Sequence, residues 1–444
     1  MNASYSGKSI AVLGAGASGE AAAVLLAGEN AMITVLDTAE MDKLRKKIDA
    51  LGAQGIRLLA GLAAEEAAAT QHFDRAVLSP GIDPAVPLVQ HFISRRIDMI
   101  GELELAYEMC KCPIIGITGT NGKTTTTQLV DQMLNACGVK TVAAGNIGPA
   151  FSARVRETAN LDVITLEVSS FQLETIREFR ANVAVWLGFS HDHLDRYASM
   201  DEYYAAKIRI FENQQADDWA IVNFRSELPE LCAQRLTFSA FTEGGDFDLR
   251  DGVIHFRGTP VLAIVETKLR GSHNAENLMA ALGVGFVRGL SFDAMRAPLC
   301  AYRPLPHRCE PIRELDGVEW INDSKGTNPD SVEKAILGEA RPIVLIAGGK
   351  DKGFEFSMLT DLVAQKCRAV VALGEMADRI ETLWRDRLPV HNAGRSLERA
   401  VTLARMHSRP GDLVLFSPGT SSFDMFQNYA ERGNQFRALV QALT

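Results

Sequence analysis

No apolar run in this chain approaches the about 20 residues that a membrane-crossing helix requires. The hydrophobic residues, 47% of the total, come in short stretches instead. A bilayer span is excluded on that ground, and no membrane partner is expected. Cysteine is scarce: the seven present are odd in number and lack paired metal-ligand spacing, which argues against a disulfide framework. Cys110 and Cys112 read as two small buried side chains. Basic charge is in deficit, with 46 Lys and Arg against 55 Asp and Glu and a net charge of −9. General nucleic-acid affinity is therefore not expected, although local cations can hold a phosphorylated small molecule. The segment from Met1 to Lys8 lacks the apolar core and small-residue cleavage site of a secretion signal, so a cytoplasmic protein is expected.

What is there has the composition of a globular protein with room for roughly two to four domains. Apolar segments at 9–13, 32–36 and 75–78, with a helix-like stretch at 21–27, alternate as strand and helix. Such alternation predicts an α/β fold, a parallel sheet covered by helices, with ligands beyond the carboxyl ends of the strands. A second run of this kind starts at Pro113 and continues through 163–166 and 183–187. Three prolines punctuate residues 302–311, after which 318–321, 343–347, 369–373 and 413–416 alternate with helices again. Three domains are expected, spanning residues 1–108, 109–305 and 306–444.

Residues 113–125 end in a glycine-rich loop, Gly119-Thr120-Asn121-Gly122-Lys123-Thr124-Thr125, that follows an apolar run and leads into a helix. Backbone N–H groups and a helix N-terminus would cradle phosphates, Lys123 would reach the terminal ones and Thr124 would hold Mg²⁺. ATP is the expected nucleotide. The strict phosphate-loop pattern asks for glycine at 117, where this chain has Ile117; its extra glycine is Gly119. A strand-to-helix turn with incidental glycines is the plainer alternative.

Gly14-Ala15-Gly16-Ala17-Ser18-Gly19 likewise follows a strand and opens a helix, and Asp37 ends the next strand. That spacing fits a dinucleotide site and would suit an NAD-dependent oxidoreductase. It equally fits a UDP moiety, with the diphosphate at the helix and the ribose or base near Asp37 and Thr38. Glu167 closes a buried strand near the phosphate loop, where a Mg²⁺ ligand is wanted. His191-Asp192-His193 follows another strand, and Ser199-Met200-Asp201-Glu202 has the pattern of a capping box. On the helix it opens, Lys207 shares an inward stripe with Tyr203, Tyr204, Ile208, Ile210 and Phe211. Desolvation there would leave its amine nucleophilic enough to take up CO₂ as a carbamate. A lysine that snorkels its head to water is the alternative. Three further loops end predicted strands: Asn322–Asn328, Gly348–Gly353 and Ser417–Phe423. Together they offer cations, hydroxyls and helix N-termini to an anionic ligand.

The ordered series of these motifs resembles the Mur ligase family over essentially the whole chain. It runs through Thr118–Thr124, Gly145-Asn146-Ile147-Gly148, Leu166–Leu173, Asp192–Tyr197, Ala205-Ala206-Lys207, His273-Asn274, Leu305–Arg308, Asn322–Asn328 and Ser417-Pro418. Gly14–Gly19 with Ser79-Pro80-Gly81-Ile82 favours the glutamate-adding branch over the folylpolyglutamate synthetases. The resemblance implies a Rossmann-like N-terminal domain, a central P-loop ATPase-type domain and a Rossmann-like C-terminal domain. It implies ATP-dependent joining of D-glutamate to UDP-MurNAc-L-Ala in peptidoglycan precursor synthesis, by a monomer. UDP would be held by Ala17, Ser18, Asp37, Thr38, Gly81 and Asn146. The nucleotide would meet Gly119–Thr125, Asn277, Arg308 and Asp323. Two Mg²⁺ ions are implied, one on Thr124 and Glu167, the other on His193 and carbamylated Lys207. Glutamate would dock on Lys325, Thr327, Lys352, Ser422 and Phe423. Two departures stand out: Tyr429 occupies a position where phenylalanine is familiar, and Lys350-Asp351-Lys352 is more basic than usual.

Overall fold

A computed structural model describes residues 5–191 and 196–444. The apolar runs become strands of three sheets. In the first, β1 (Ser9–Leu13), β2 (Met32–Asp37), β3 (Arg57–Ala60), β4 (Arg75–Leu78) and β5 (Asp98–Gly101) lie in the order β3-β2-β1-β4-β5, all parallel. Side chains alternate across it as the strand period requires, Ile10 and Val12 entering one buried cluster and Ala11 and Leu13 the other. The helix expected at 21–27 begins earlier, at Ala17, because the glycine loop feeds directly into it.

The strands that follow are β6 (Ile114–Thr118), β7 (Ala143–Gly145), β8 (Ile164–Glu167), β9 (Val183–Trp186), β10 (Trp219–Asn223) and β11 (Gln234–Ser239). They are parallel in the order β11-β10-β9-β6-β8-β7, and β6 is buried at every residue. Beyond them come β12 (Phe247–Arg250), β13 (Val253–Phe256) and β14 (Thr259–Ala263), the last two an antiparallel pair.

The last sheet contains β15 (Glu310–Leu315), β16 (Val318–Asn322), β17 (Ile343–Gly348), β18 (Cys367–Leu373), β19 (Val390–Asn392) and β20 (Leu413–Phe416), ordered β15-β16-β20-β17-β18-β19. Only the β15–β16 pair is antiparallel. Both faces are covered, Leu345 and Ala347 packing into one cluster and Val344 and Ile346 into the other. The chain forms two compact units: the first two sheets fall mainly in one, and the segments 248–276 and 300–444 in the other. Within the first, buried Glu104 ties its helix to the turn before β9 by accepting the N–H groups of Arg177, Glu178 and Phe179.

No helix among the described residues is long and apolar enough to cross a membrane. All seven cysteines are free, and Cys110 and Cys112 are half-buried rather than buried.

Candidate active site

In the first unit the phosphate loop leaves the carboxyl end of β6 between its neighbours β8 and β9. Ile117, which stands where a strict pattern has glycine, is an interior strand residue paired with Glu167 and Val185. The turn needs its glycine two residues later. Gly119 has φ +148°, and a Cβ there would lie 2.9 Å from the Leu187 Cβ. Gly122 is left-handed at φ +85°, and a Cβ would sit 2.4 Å from Asn277 Oδ1, so only glycine admits the close approach. The helix Lys123–Ala136 starts there, with Thr124 and Thr125 buried. Thr126 Oγ1 donates to Asn277 Oδ1 at 3.1 Å, which places the expected nucleotide residue Asn277 against the loop.

Two lysines converge on one carbonyl. Lys123 Nζ donates to Gly119 O at 2.8 Å and to Thr120 O at 2.9 Å, and Lys207 Nζ donates to Gly119 O at 3.1 Å. Lys207 is 1% exposed, so the snorkelling alternative is overturned: the helix Met200–Ile208 aims its amine inward. Tyr203, another member of the stripe, lies one turn away with its ring centroid 4.9 Å from the Lys207 nitrogen. Its hydroxyl is 3.3 Å from Thr120 Oγ1. Tyr204 and Ile208 are only partly buried, so the stripe is narrower than expected. The capping box is half formed, since Ser199 Oγ accepts from Glu202 N–H but the Glu202 carboxylate turns to Ala198 N–H. A complete box sits instead at Ser169 and Gln172. His193 lies outside the described residues.

Glu167, 3% exposed, ends β8 beside this loop. Its Oε1 accepts from Asn146 Nδ2 at 2.7 Å, while Oε2 is buried with no hydrogen-bond partner. A buried carboxylate oxygen left unsatisfied is costly, and a Mg²⁺ ion at this position would satisfy it. Thr124 and Glu167 thus fit a hard, oxygen-ligated cation. Among the described residues no three carboxylate, imidazole or thiol side chains gather into a ready-made metal cluster.

The other glycine loop lies at the ends of β1 and β4, where the strand order reverses. A Cβ on Gly19 would fall 1.9 Å from Gly14 O and 2.7 Å from Ser79 Oγ, which fixes the helix tightly on the strand. Asp37 accepts from Ala15 N–H at 2.7 Å and Ala39 N–H at 2.9 Å, so both of its oxygens shape the loop. Ala17, Thr38 and Gly81 are exposed and Ser18 partly so, around the helix N-terminus. Lys47, unremarked in the sequence, donates to Ala15 O and pairs with Glu20 at 3.1 Å, adding a cation beside the loop.

In the second unit the three expected loops come together because β16, β20 and β17 are neighbours. Backbone bonds knit them: Gly419 N–H to Gly326 O at 2.9 Å, Gly348 N–H to Pro418 O at 2.8 Å and Lys350 N–H to Ser421 O at 2.9 Å. Lys325 Nζ lies 4.0 Å from the centroid of the Tyr429 ring, a cation platform that the familiar phenylalanine would also provide. Lys350 pairs with Glu375 at 3.1 Å, so the extra basicity of its loop is partly neutralised locally. Lys352 lies over Phe354. Thr327 is half-buried, Ser422 buried and Phe423 70% exposed. Asp323 is buried, accepting from Ser417 Oγ at 2.7 Å and Cys309 N–H at 3.2 Å. Desolvation pushes its carboxyl up to about 6 despite those bonds and the neighbouring Arg308 charge.

Family models match the chain in three places: a Mur ligase MurD-like N-terminal domain over residues 8–101, a Mur ligase middle domain over 117–285 and a Mur ligase glutamate ligase domain over 307–419. A UDP-N-acetylmuramoylalanine–D-glutamate ligase of Syntrophotalea carbinolica is 39% identical, the match covering 99% of both chains. The enzyme of the same name from Geotalea daltonii is 40% identical over 98% of both. Among solved structures, the UDP-N-acetylmuramate–alanine ligase of Thermotoga maritima shares the fold with a TM-score of 0.62 at 18% identity, covering 98% of this chain and 99% of that one. MurF of Acinetobacter baumannii also reaches 0.62, at 16% identity and with 98% and 91% covered. Matched by family models in all three parts and by relatives along nearly its full length, the chain belongs to the Mur ligase family.

Proposed function

We propose that this protein joins D-glutamate to UDP-MurNAc-L-Ala, consuming ATP and releasing ADP and phosphate, as a step of peptidoglycan precursor synthesis. The observation that carries the reading is the phosphate loop on which Lys123 and buried Lys207 meet at Gly119, in a chain about 40% identical to D-glutamate ligases. The substrate carboxylate attacks the γ-phosphorus of ATP, forming a C–O–P bond as the bond to ADP breaks. The glutamate amine then attacks the acyl carbon, loses a proton, and phosphate leaves with the C–O bond. Bound Mg²⁺ would supply charge neutralisation between the carboxylate and phosphate anions. Thr124 and Glu167 would hold one ion, His193 and a carbamate on Lys207 the second.

Lys123 and the loop N–H groups hold the terminal phosphates, while Asn277, Arg308 and Asp323 contact the nucleotide. The glycine loop after β1, with Ala17, Ser18, Asp37, Thr38, Gly81 and Asn146, receives the UDP substrate. Lys325, Thr327, Lys352, Ser422 and Phe423 receive glutamate, the two lysines opposing its carboxylates. Domain limits at 108 and 305, a monomer and a cytoplasmic site of action complete the reading. Its test is phosphate release with UDP-MurNAc-L-Ala and a panel of amino acids, with Lys123→Ala alongside. Release with D-glutamate that vanishes in the variant supports it. Turnover independent of ATP, or near wild-type activity of Lys123→Ala, would overturn it.

A further inference from the structure

Arg432 is a charged residue where the fold calls for an apolar one. It lies on the inward face of the helix Tyr429–Ala442, with Gly433, Phe436 and Val440, and is 1% exposed. Burying a guanidinium is costly, and an apolar side chain of similar volume would often serve stability as well or better. Its donors go elsewhere than to a carboxylate. Nε donates to Ser324 Oγ at 3.0 Å, one terminal nitrogen to Ser324 O at 2.8 Å and the other to Thr420 O at 3.1 Å. Gly349 accommodates that last nitrogen, since a Cβ there would lie 3.2 Å from it. Ser324 Oγ in turn donates to Tyr429 O at 2.8 Å, and the Tyr429 ring carries the Lys325 ammonium.

We propose that Arg432 is a positioning residue for the amino-acid acceptor, fixing the spacing between the loops that carry Lys325 and Ser422. This rests on the assignment of those loops to glutamate. A planar fork with several fixed donors can bridge two loops at once, whereas a lysine ammonium is a point charge on a flexible stem. Desolvation pulls the Arg432 guanidinium down to about 10, against the pull of the Asp424 and Asp323 charges, so it stays charged at neutral pH. The Lys325–Tyr429 platform and the Ser422 loop are thereby held by one residue that need not touch substrate.

The test is steady-state phosphate release by the full chain with D-glutamate, ATP and UDP-MurNAc-L-Ala varied in turn, for Arg432→Met, Arg432→Lys and Ser324→Ala, with thermal unfolding followed in parallel. The KM for D-glutamate should rise about tenfold or more in Arg432→Met and less in Arg432→Lys and Ser324→Ala, with the other two KM values within about twofold of wild type. A D-glutamate KM within about twofold of wild type in folded Arg432→Met, or an equal rise in all three KM values, overturns the proposal. Should Arg432→Met not fold, the same criteria apply to Arg432→Lys and Ser324→Ala. Wild-type protein inactive with D-glutamate would instead sink the functional reading itself, which separates the two failures.

Discussion

Asn146 and Glu167 are bonded twice: the Asn146 side-chain amide donates to Glu167 Oε1 at 2.7 Å, and its backbone N–H donates to Glu167 O at 2.8 Å. Gly145 permits this, because a Cβ there would fall 2.4 Å from the same Glu167 carbonyl. The amide holds Oε1 and leaves Oε2 without a hydrogen-bond partner, open to the cation proposed for Glu167. Asn146→Ala should therefore raise the Mg²⁺ concentration for half-maximal phosphate release about tenfold, as loss of an orienting partner typically does. Glu167→Ala should cost on the order of 100-fold in turnover. An unchanged Mg²⁺ titration in Asn146→Ala would detach the amide from the metal.

Lys207 is buried against the Gly119 carbonyl, and as a carbamate it would become an anionic ligand. Activity should fall when CO₂ and bicarbonate are stripped from the buffer and return when they are restored. Labelling with ¹³C bicarbonate should give a carbamate resonance that is absent from Lys207→Ala. Full activity of that variant would eliminate the role.

If the two lysines oppose the glutamate carboxylates as proposed, Lys325→Ala and Lys352→Ala should each raise the KM for D-glutamate by about tenfold or more. The KM for ATP should stay near its wild-type value. Tyr429→Leu, which removes the ring beneath Lys325, should give a smaller rise in the same parameter. Wild-type glutamate kinetics in both lysine variants would place the acceptor elsewhere.

Asp323 titrates near 6 in the folded chain against an ordinary 3.8. Between those values the folded state holds a proton that the unfolded state has released. Its contribution to stability is full below the lower value and is lost as pH rises through the higher one. Asp323→Asn can keep both bonds, its carbonyl accepting from Cys309 N–H and its amide donating to Ser417 Oγ. From pH 4 to 7 the stability of this variant relative to wild type should improve by on the order of 1–3 kcal/mol, read from denaturant unfolding. Parallel pH profiles for the two proteins would refute the assignment.

Local pattern made much of the site legible. Strands such as β1, β6, β8 and β16 announced themselves as apolar runs, and Lys123, Thr124 and Glu167 lie at or just beyond the ends of such runs, whereas β3, β5, β7, β10 to β15 and β19 were not legible that way. Gly119 and Gly122 have φ values of +148° and +85° that glycine takes at low cost. The buried state of Lys207 was suggested by its helical stripe, but periodicity alone cannot tell an inward amine from one that bends to water.

The loops themselves are local, each short enough for backbone geometry and neighbouring residues to define. Which of them become neighbours is settled by strand pairing across the fold. β20, the last strand in the chain, inserts between β16 and β17 and pairs with both, so Ser417–Phe423 emerges beside the Asp323 and Gly349 loops. Asn146 reaches Glu167 because β7 and β8 pair, and Arg432 reaches Ser324 from 108 residues away. Strand pairing and the cost of leaving a buried polar group unsatisfied act across the fold, and neither leaves a periodic mark on the sequence.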